Sequence, residues 1–260
     1  MILTEDHIDL ATPSGTMRTH LIRPAADGKY PGLLMFSEIF QVTGPILRTA
    51  RLLGSQGFIV AIPEIFHEFE PLGSAFPYTP EGTDRGNRYK IDKELAHYDS
   101  DARVALDYLQ SLPECTGRLG ALGICIGGHL SFRAAMNSDV LAAACFYPTD
   151  IHKCSLGKGM KDNSLDRIGE IRGELLMIFG KQDPHIPQEG RELIYRHLTD
   201  AGTNFTWHEF NAEHAFLRDE GHRYNAALAG ICYDLSLELF QRKLYAGEQM
   251  VVNEGTEARH

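Results

Sequence analysis

Residues 117–130 read GRLGALGICIGGHL, and the way this stretch folds decides the rest. Its first half is a short apolar run suited to a strand buried on both faces, and its second half opens a segment with helical spacing. Between them lies G-x-C-x-G, from Gly123 to Gly127. In such a turn a strained backbone exposes the central side chain, so the residues two before and two after must be small. A thiol placed there, at a helix N-terminus, feels the positive end of the macrodipole and loses its proton more readily. The backbone N–H of Ile126 would point toward a developing oxyanion. A lone free cysteine is usually just a small buried hydrophobe. The paired glycines between strand and helix make Cys125 a candidate nucleophile instead.

The pattern repeats outward from this turn. Short apolar runs occur at residues 32–36 (GLLMF), 58–62 (FIVAI), 119–122, 141–147 and 175–179 (LLMIF). Segments with helical spacing lie at 46–56, 92–112, 128–136, 188–199 and 221–244. The alternation predicts an α/β fold, a mainly parallel twisted sheet with helices on both faces and ligand chemistry gathered at the carboxyl ends of the strands. Residues 6–10 and 17–23, on either side of ATPSGT, predict a short antiparallel strand pair in front of it. One domain is expected over residues 1–245, with 246–260 (AGEQMVVNEGTEARH) as a flexible tail. Residues 66–88 hold a long loop bearing Pro and Gly, a candidate lid, substrate wall or subunit contact.

Composition narrows the classes of function. The 260 residues carry 35 acidic against 25 basic side chains, a formal charge of -10, without the basic patch that nucleic-acid binders need. No apolar run approaches the roughly 18 residues of a membrane span, and the opening MILTEDH has acids where a signal peptide needs bases. The five cysteines are odd in number and form no CxxC pair, so a cytoplasmic protein without a disulfide framework is expected. The histidine spacing resembles no zinc signature, and neither a metal nor a cofactor is expected. Monomer and homodimer both stay open.

Hydrolases with this turn take their remaining catalytic groups in the order nucleophile, acid, histidine, on loops after later strands. Asp183 follows LLMIFGKQ in the loop DPHIP. Alone it serves equally well as the N-cap of the helix beginning near Gln188, but its place after a buried strand favours the acid. His214, in NAEHAF, is the best placed of the twelve histidines, since His208 falls on a strand, His222 at a helix start and His185 too close to Asp183. Glu38 falls at the carboxyl end of the first buried strand, near the same rim.

The four motifs SEIFQVTGPI, GICIGG, GKQDPHIP and EHAF together resemble the dienelactone hydrolase family of α/β-hydrolases, in order and spacing, over nearly the whole domain. The resemblance implies a triad of Cys125, Asp183 and His214, with Glu38 helping to generate the thiolate when substrate arrives. It implies an oxyanion hole from the backbone N–H groups of Ile39 and Ile126. It further implies a substrate carboxylate held by Arg85, Tyr89 and Arg218, matching the family's R-x-x-x-Y and H-x-x-x-R spacings. An arginine fork suits a carboxylate because its planar donors reach both oxygens. Where family members typically have an E-I-F-G-like run this chain has EIFQ.

The expected function is hydrolysis of a small-molecule ester or lactone through an acyl-enzyme, with protease activity disfavoured. Two other readings stay open: a broader carboxylesterase or thioesterase acting on neutral substrates, and a non-catalytic ligand-binding or redox-sensing thiol protein.

Overall fold

The computed structural model describes residues 1–245, and its sheet extends in both directions from the strand that ends at the glycine-rich turn. That strand, β5 (Cys115–Ile124), is flanked on one side by β3 (Tyr30–Phe36), then β4 (Ile59–Pro63), β2 (Gly15–Pro24) and β1 (Leu3–Thr12). On its other side lie β6 (Val140–Phe146), β7 (Glu174–Gly180) and β8 (Phe205–Phe210). All neighbours from β4 through β8 are parallel, while β2 runs antiparallel to both β1 and β4. The parallel strands read as unbroken apolar runs because helices cover both of their faces. The N-terminal pair is longer than expected, ten residues in each strand, because β1 lies at the sheet edge and carries polar residues along its exposed length.

Helices α1 (Gly44–Ser55) and α6 (Ala226–Leu244) share one face, joined by a 3.0 Å hydrogen bond between Thr49 Oγ1 and the Tyr233 hydroxyl. Helices α3 (Leu95–Ser111) and α4 (Ile126–Ala134) pack on the other. The alternation is visible in the strands themselves, where Gly32 faces Leu109 of α3 and Gly120 faces Leu244 of α6. Helix α5 (Gln188–Asp200) follows β7. One continuous apolar core runs through these layers. Among the described residues, no helix is long and apolar enough to cross a membrane. The tail expected at 246–260 lies outside the described residues.

The stretch expected to be loop at 66–88 differs. Its second half is the start of α2 (Pro80–Asp92). Thr79 caps it, its side chain accepting from the Gly82 N–H, Pro80 supplies a preset φ in the first turn, and Glu81 favours the positive helix end. Few apolar residues mark it, since it buries only the glycines Gly82 and Gly86. A Cβ at Gly86 would run into the Ile39 carbonyl, so α2 sits directly on the segment following β3. The expected helix over 92–112 begins only at Leu95, because Lys93 turns inward and is fully buried. Its ammonium donates to Asp101 at 2.6 Å and to the Ile65 carbonyl at 3.0 Å, with Glu68 at 2.8 Å. His67 Nε2 lies 2.9 Å from the same Asp101 oxygen. Lys93 thus ties the loop after β4 to α3.

Candidate active site

Only Cys125 separates β5 from α4, and it turns the chain with φ 64° and ψ −121°, a conformation that costs a non-glycine residue about 1–3 kcal/mol. Backbone bonds fix it there. Its N–H donates to the Phe146 carbonyl at 3.0 Å, and its carbonyl accepts from the N–H of Gly128 at 3.0 Å and of Thr149 at 3.3 Å. The two glycines of the motif are required by contact, since a Cβ at Gly123 would strike the Gly127 carbonyl and one at Gly127 the carbonyls of Phe36 and Ser37. Ile126 is the first residue of α4, so its N–H has no acceptor within the helix.

β7 and β8 bring the other two groups to the thiol. Asp183 Oδ2 lies 2.6 Å from His214 Nδ1, and its other oxygen accepts the His185 N–H at 2.8 Å. His214 Nε2 lies 3.2 Å from Cys125 Sγ. Burial alone would lower the basicity of His214, but the charge and hydrogen bond of the Cys125 sulfur together with Asp183 outweigh it and push the imidazole up to about 10. The ring is further held edge-on by Tyr147, 4.9 Å between centroids, and by His185 at 4.6 Å.

Glu38 is buried beside this triad, and burial raises its carboxyl above the ordinary range against the opposing pull of Arg218 and His214. Arg218 Nη1 is 3.8 Å from Glu38 Oε1, its guanidinium lies 4.3 Å from the centre of the Tyr78 ring, and its Nε donates to the Glu220 carbonyl at 3.0 Å. The Tyr78 hydroxyl meets Glu38 at 3.5 Å and Thr43 at 2.7 Å. Gln41 adopts φ 65°, and its side-chain oxygen accepts the Phe66 N–H at 3.0 Å. The turn after Glu38 therefore holds a non-glycine residue in the left-handed region.

A cavity of about 750 Å³ opens over Cys125, lined by Glu38, Ile39, His214 and Arg218 among others. Along α2 it is faced by Pro80, Thr83, Asp84, Asn87 and Lys90, one helical stripe. Arg85 and Tyr89 belong to the other side of that helix, and neither lines the cavity. Arg85 is half exposed, 3.6 Å from Glu70 and over the Phe76 ring, while the Tyr89 hydroxyl donates to Glu70 at 2.8 Å and its ring stacks on Phe69. Sequence reasoning missed Tyr78, Lys153 and Arg223 in the cavity wall, none of which stands in a recognisable spacing.

Among the described residues, two groups of side chains have donor atoms close enough to share an ion. One is Asp183, His185 and His214, whose bonds within the triad are already made. The other is His67, Glu68 and Asp101, where the Lys93 ammonium already supplies the positive charge.

A profile of the dienelactone hydrolase family matches residues 17–244. A Saccharomyces cerevisiae protein provisionally named carboxymethylenebutenolidase is 42% identical over 273 aligned residues, spanning 100% of this chain and 99% of its own. The carboxymethylenebutenolidase of Pseudomonas putida is 27% identical across 91% of this chain and 96% of its own. The crystal structure of a provisionally named dienelactone hydrolase from Klebsiella pneumoniae has a TM-score of 0.82 at 22% identity, covering 93% of this chain and 100% of that one. With a strand–Cys–helix turn, an α/β-hydrolase sheet and a family match over nearly its whole described length, the chain belongs to the dienelactone hydrolase family and is a carboxylic ester hydrolase.

Proposed function

We propose that the protein hydrolyses a small-molecule ester or lactone, dienelactone-like in class, through a Cys125–His214–Asp183 triad and an acyl-enzyme. The Cys125 thiolate attacks the carbonyl carbon, forming a C–S bond, while the N–H groups of Ile126 and Ile39 receive the oxyanion. The C–O bond then breaks, and the leaving oxygen takes the proton of the His214 imidazolium. Acylation removes the negative charge from sulfur, and with it one of the interactions that raise His214. The imidazole, still oriented by Asp183, becomes a weaker base that can hold a proton from the incoming water and release it. Water attacks the thioester, the C–S bond breaks, and the thiolate returns. The buried Glu38 carboxyl, held between Arg218 and Tyr78, assists formation of the thiolate in this reading.

The observation that carries the proposal is the pair of contacts made by one imidazole, 3.2 Å to Cys125 Sγ and 2.6 Å to Asp183 Oδ2. A thiol sensor without turnover has no need of the second. The cavity volume of about 750 Å³ favours a second reading beside the first, a broader carboxylesterase or thioesterase admitting bulkier neutral substrates. The five free cysteines support a cytoplasmic site of action.

Steady-state hydrolysis of a carboxylate-bearing dienelactone and of a neutral aryl acetate, by the parent and by Cys125→Ala, tests the proposal. Cys125-dependent turnover favouring the lactone supports it, and turnover of the aryl ester alone favours the broader esterase. Turnover that survives in Cys125→Ala at the parental rate removes the thiol from the mechanism.

A further inference from the structure

Thr43 stands at the N-cap of α1, yet its side chain caps nothing there, although a threonine in that position ordinarily accepts a helix N–H. Its hydroxyl lies instead 2.7 Å from the Tyr78 hydroxyl, which donates to Glu38 Oε2 at 3.5 Å. The Tyr78 ring is held from two sides, edge-on to Phe40 at 4.7 Å between centroids and 4.3 Å from the Arg218 guanidinium. Burial and the charge of Glu38 raise the phenol above its ordinary range, so it keeps its proton and remains a donor. Among the described residues, Tyr78 is the one side chain hydrogen-bonded to the Glu38 carboxyl. The charges of Arg218, whose Nη1 is 3.8 Å from the other carboxyl oxygen, of His214 and of Arg223 act in the same direction as this bond, toward ionisation, and burial opposes them all. The buried Tyr147 phenol, also within reach of the Glu38 charge, stays neutral.

We infer that Tyr78, backed by Thr43, is a positioning residue for Glu38, its hydroxyl following the buried carboxyl through each loss and gain of a proton. While Glu38 is ionised it only accepts, so Tyr78 turns its hydrogen to Oε2 and Thr43 donates to the Tyr78 oxygen. Once Glu38 carries a proton it donates to the Tyr78 oxygen, and Tyr78 turns its own hydrogen to Thr43. Both states are hydrogen-bonded, and passing between them takes the rotation of hydroxyl hydrogens without displacement of a heavy atom. The inference rests on the reading that Glu38 assists thiolate formation and adds to it the residues that govern Glu38.

The test titrates the Glu38 carboxyl by difference infrared spectroscopy of its protonated C=O stretch, assigned by its disappearance in Glu38→Gln, and follows kcat/KM for one lactone over the same pH range. Tyr78→Phe keeps the ring against Arg218 and removes only the donor, so the carboxyl midpoint should rise by roughly half a unit to one unit, and the acid limb of kcat/KM should move up with it. Thr43→Val, which deprives α1 of no side-chain cap, should shift both in the same direction by less. Tyr89→Phe, whose hydroxyl is engaged by Glu70 outside the cavity, should shift neither. A role in packing alone would lower stability or kcat and leave the midpoint in place, and a carboxyl midpoint unchanged in Tyr78→Phe overturns the inference. A midpoint that rises while the acid limb of kcat/KM stays where it was keeps Tyr78 as the residue that governs the carboxyl and rejects the part of Glu38 in thiolate formation.

Discussion

The Nε2 of His214 lies 3.2 Å from the Cys125 sulfur across a separation of 89 residues in sequence. The sulfur's charge and hydrogen bond are two of the causes that overcome burial and hold this imidazole near 10. Both disappear in Cys125→Ala, while Asp183 stays. The His214 titration midpoint, followed by NMR through the ring Cε1 proton, should therefore fall by roughly a unit or more in that variant. An unchanged midpoint would mean that the resting sulfur carries no charge.

The same shift sets a pH dependence of stability. A histidine raised in the folded state adds stability that is fully present below its unfolded value, near 6.5, and disappears as pH rises through about 10. The difference in urea midpoint between parent and His214→Gln should thus shrink steadily across that window. A difference that grew with pH would contradict the charged pair.

Asp183→Asn keeps the shape of the 2.6 Å contact to His214 but replaces an acceptor with an amide that can present a donor to Nδ1. The imidazole then favours the wrong tautomer, and kcat should fall on the order of 10²- to 10⁴-fold with little change in KM. A loss of less than tenfold would show that His214 is oriented by something other than Asp183.

Gly127→Ala should destabilise the protein by about 1–3 kcal/mol or more, because the added methyl group meets the Phe36 and Ser37 carbonyls at the end of β3. Denaturant unfolding measures this directly. Parental stability in the variant would mean that the junction of β3 and α4 is looser than the close approach implies.

Lys93→Met should cost about 3–5 kcal/mol, since it strips the ammonium from Asp101 and Glu68 and leaves carboxylates in a buried setting without their counterion. The loss should lessen as the carboxylates protonate in acid, because the His67 hydrogen bond and Lys93 hold Asp101, and Lys93 holds Glu68, below the usual carboxylate range. Unfolding measured at neutral and at acidic pH tests both parts.

What could be read in the sequence was set by backbone chemistry. The turn at Cys125 was legible because only glycine tolerates the approach of Gly127 to β3 and of Gly123 to Gly127. The strand–helix alternation followed from runs that both faces of the sheet bury. Helix α2 was not legible, since it buries glycines rather than an apolar stripe. The R-x-x-x-Y spacing does put Arg85 and Tyr89 on the same side of that helix, but which side meets the cavity depends on Gly86 seating against Ile39, a contact between residues 47 apart with no local signature. Arg223 was missed for a related reason, because its place in the cavity wall is set by residues distant from it in sequence.

Where Gly86 meets the Ile39 carbonyl, the chemistry and the selectivity of the molecule come from separate parts of the chain. The proposed thiol nucleophile, its base and its acid follow the ends of β5, β7 and β8, while Thr83, Asp84 and Asn87 face the cavity from α2, whose Gly86 backbone seats against Ile39. A library randomised at those three positions can therefore reshape what the enzyme accepts without disturbing the groups that cleave it, making α2 the natural starting point for directed evolution of a new hydrolase.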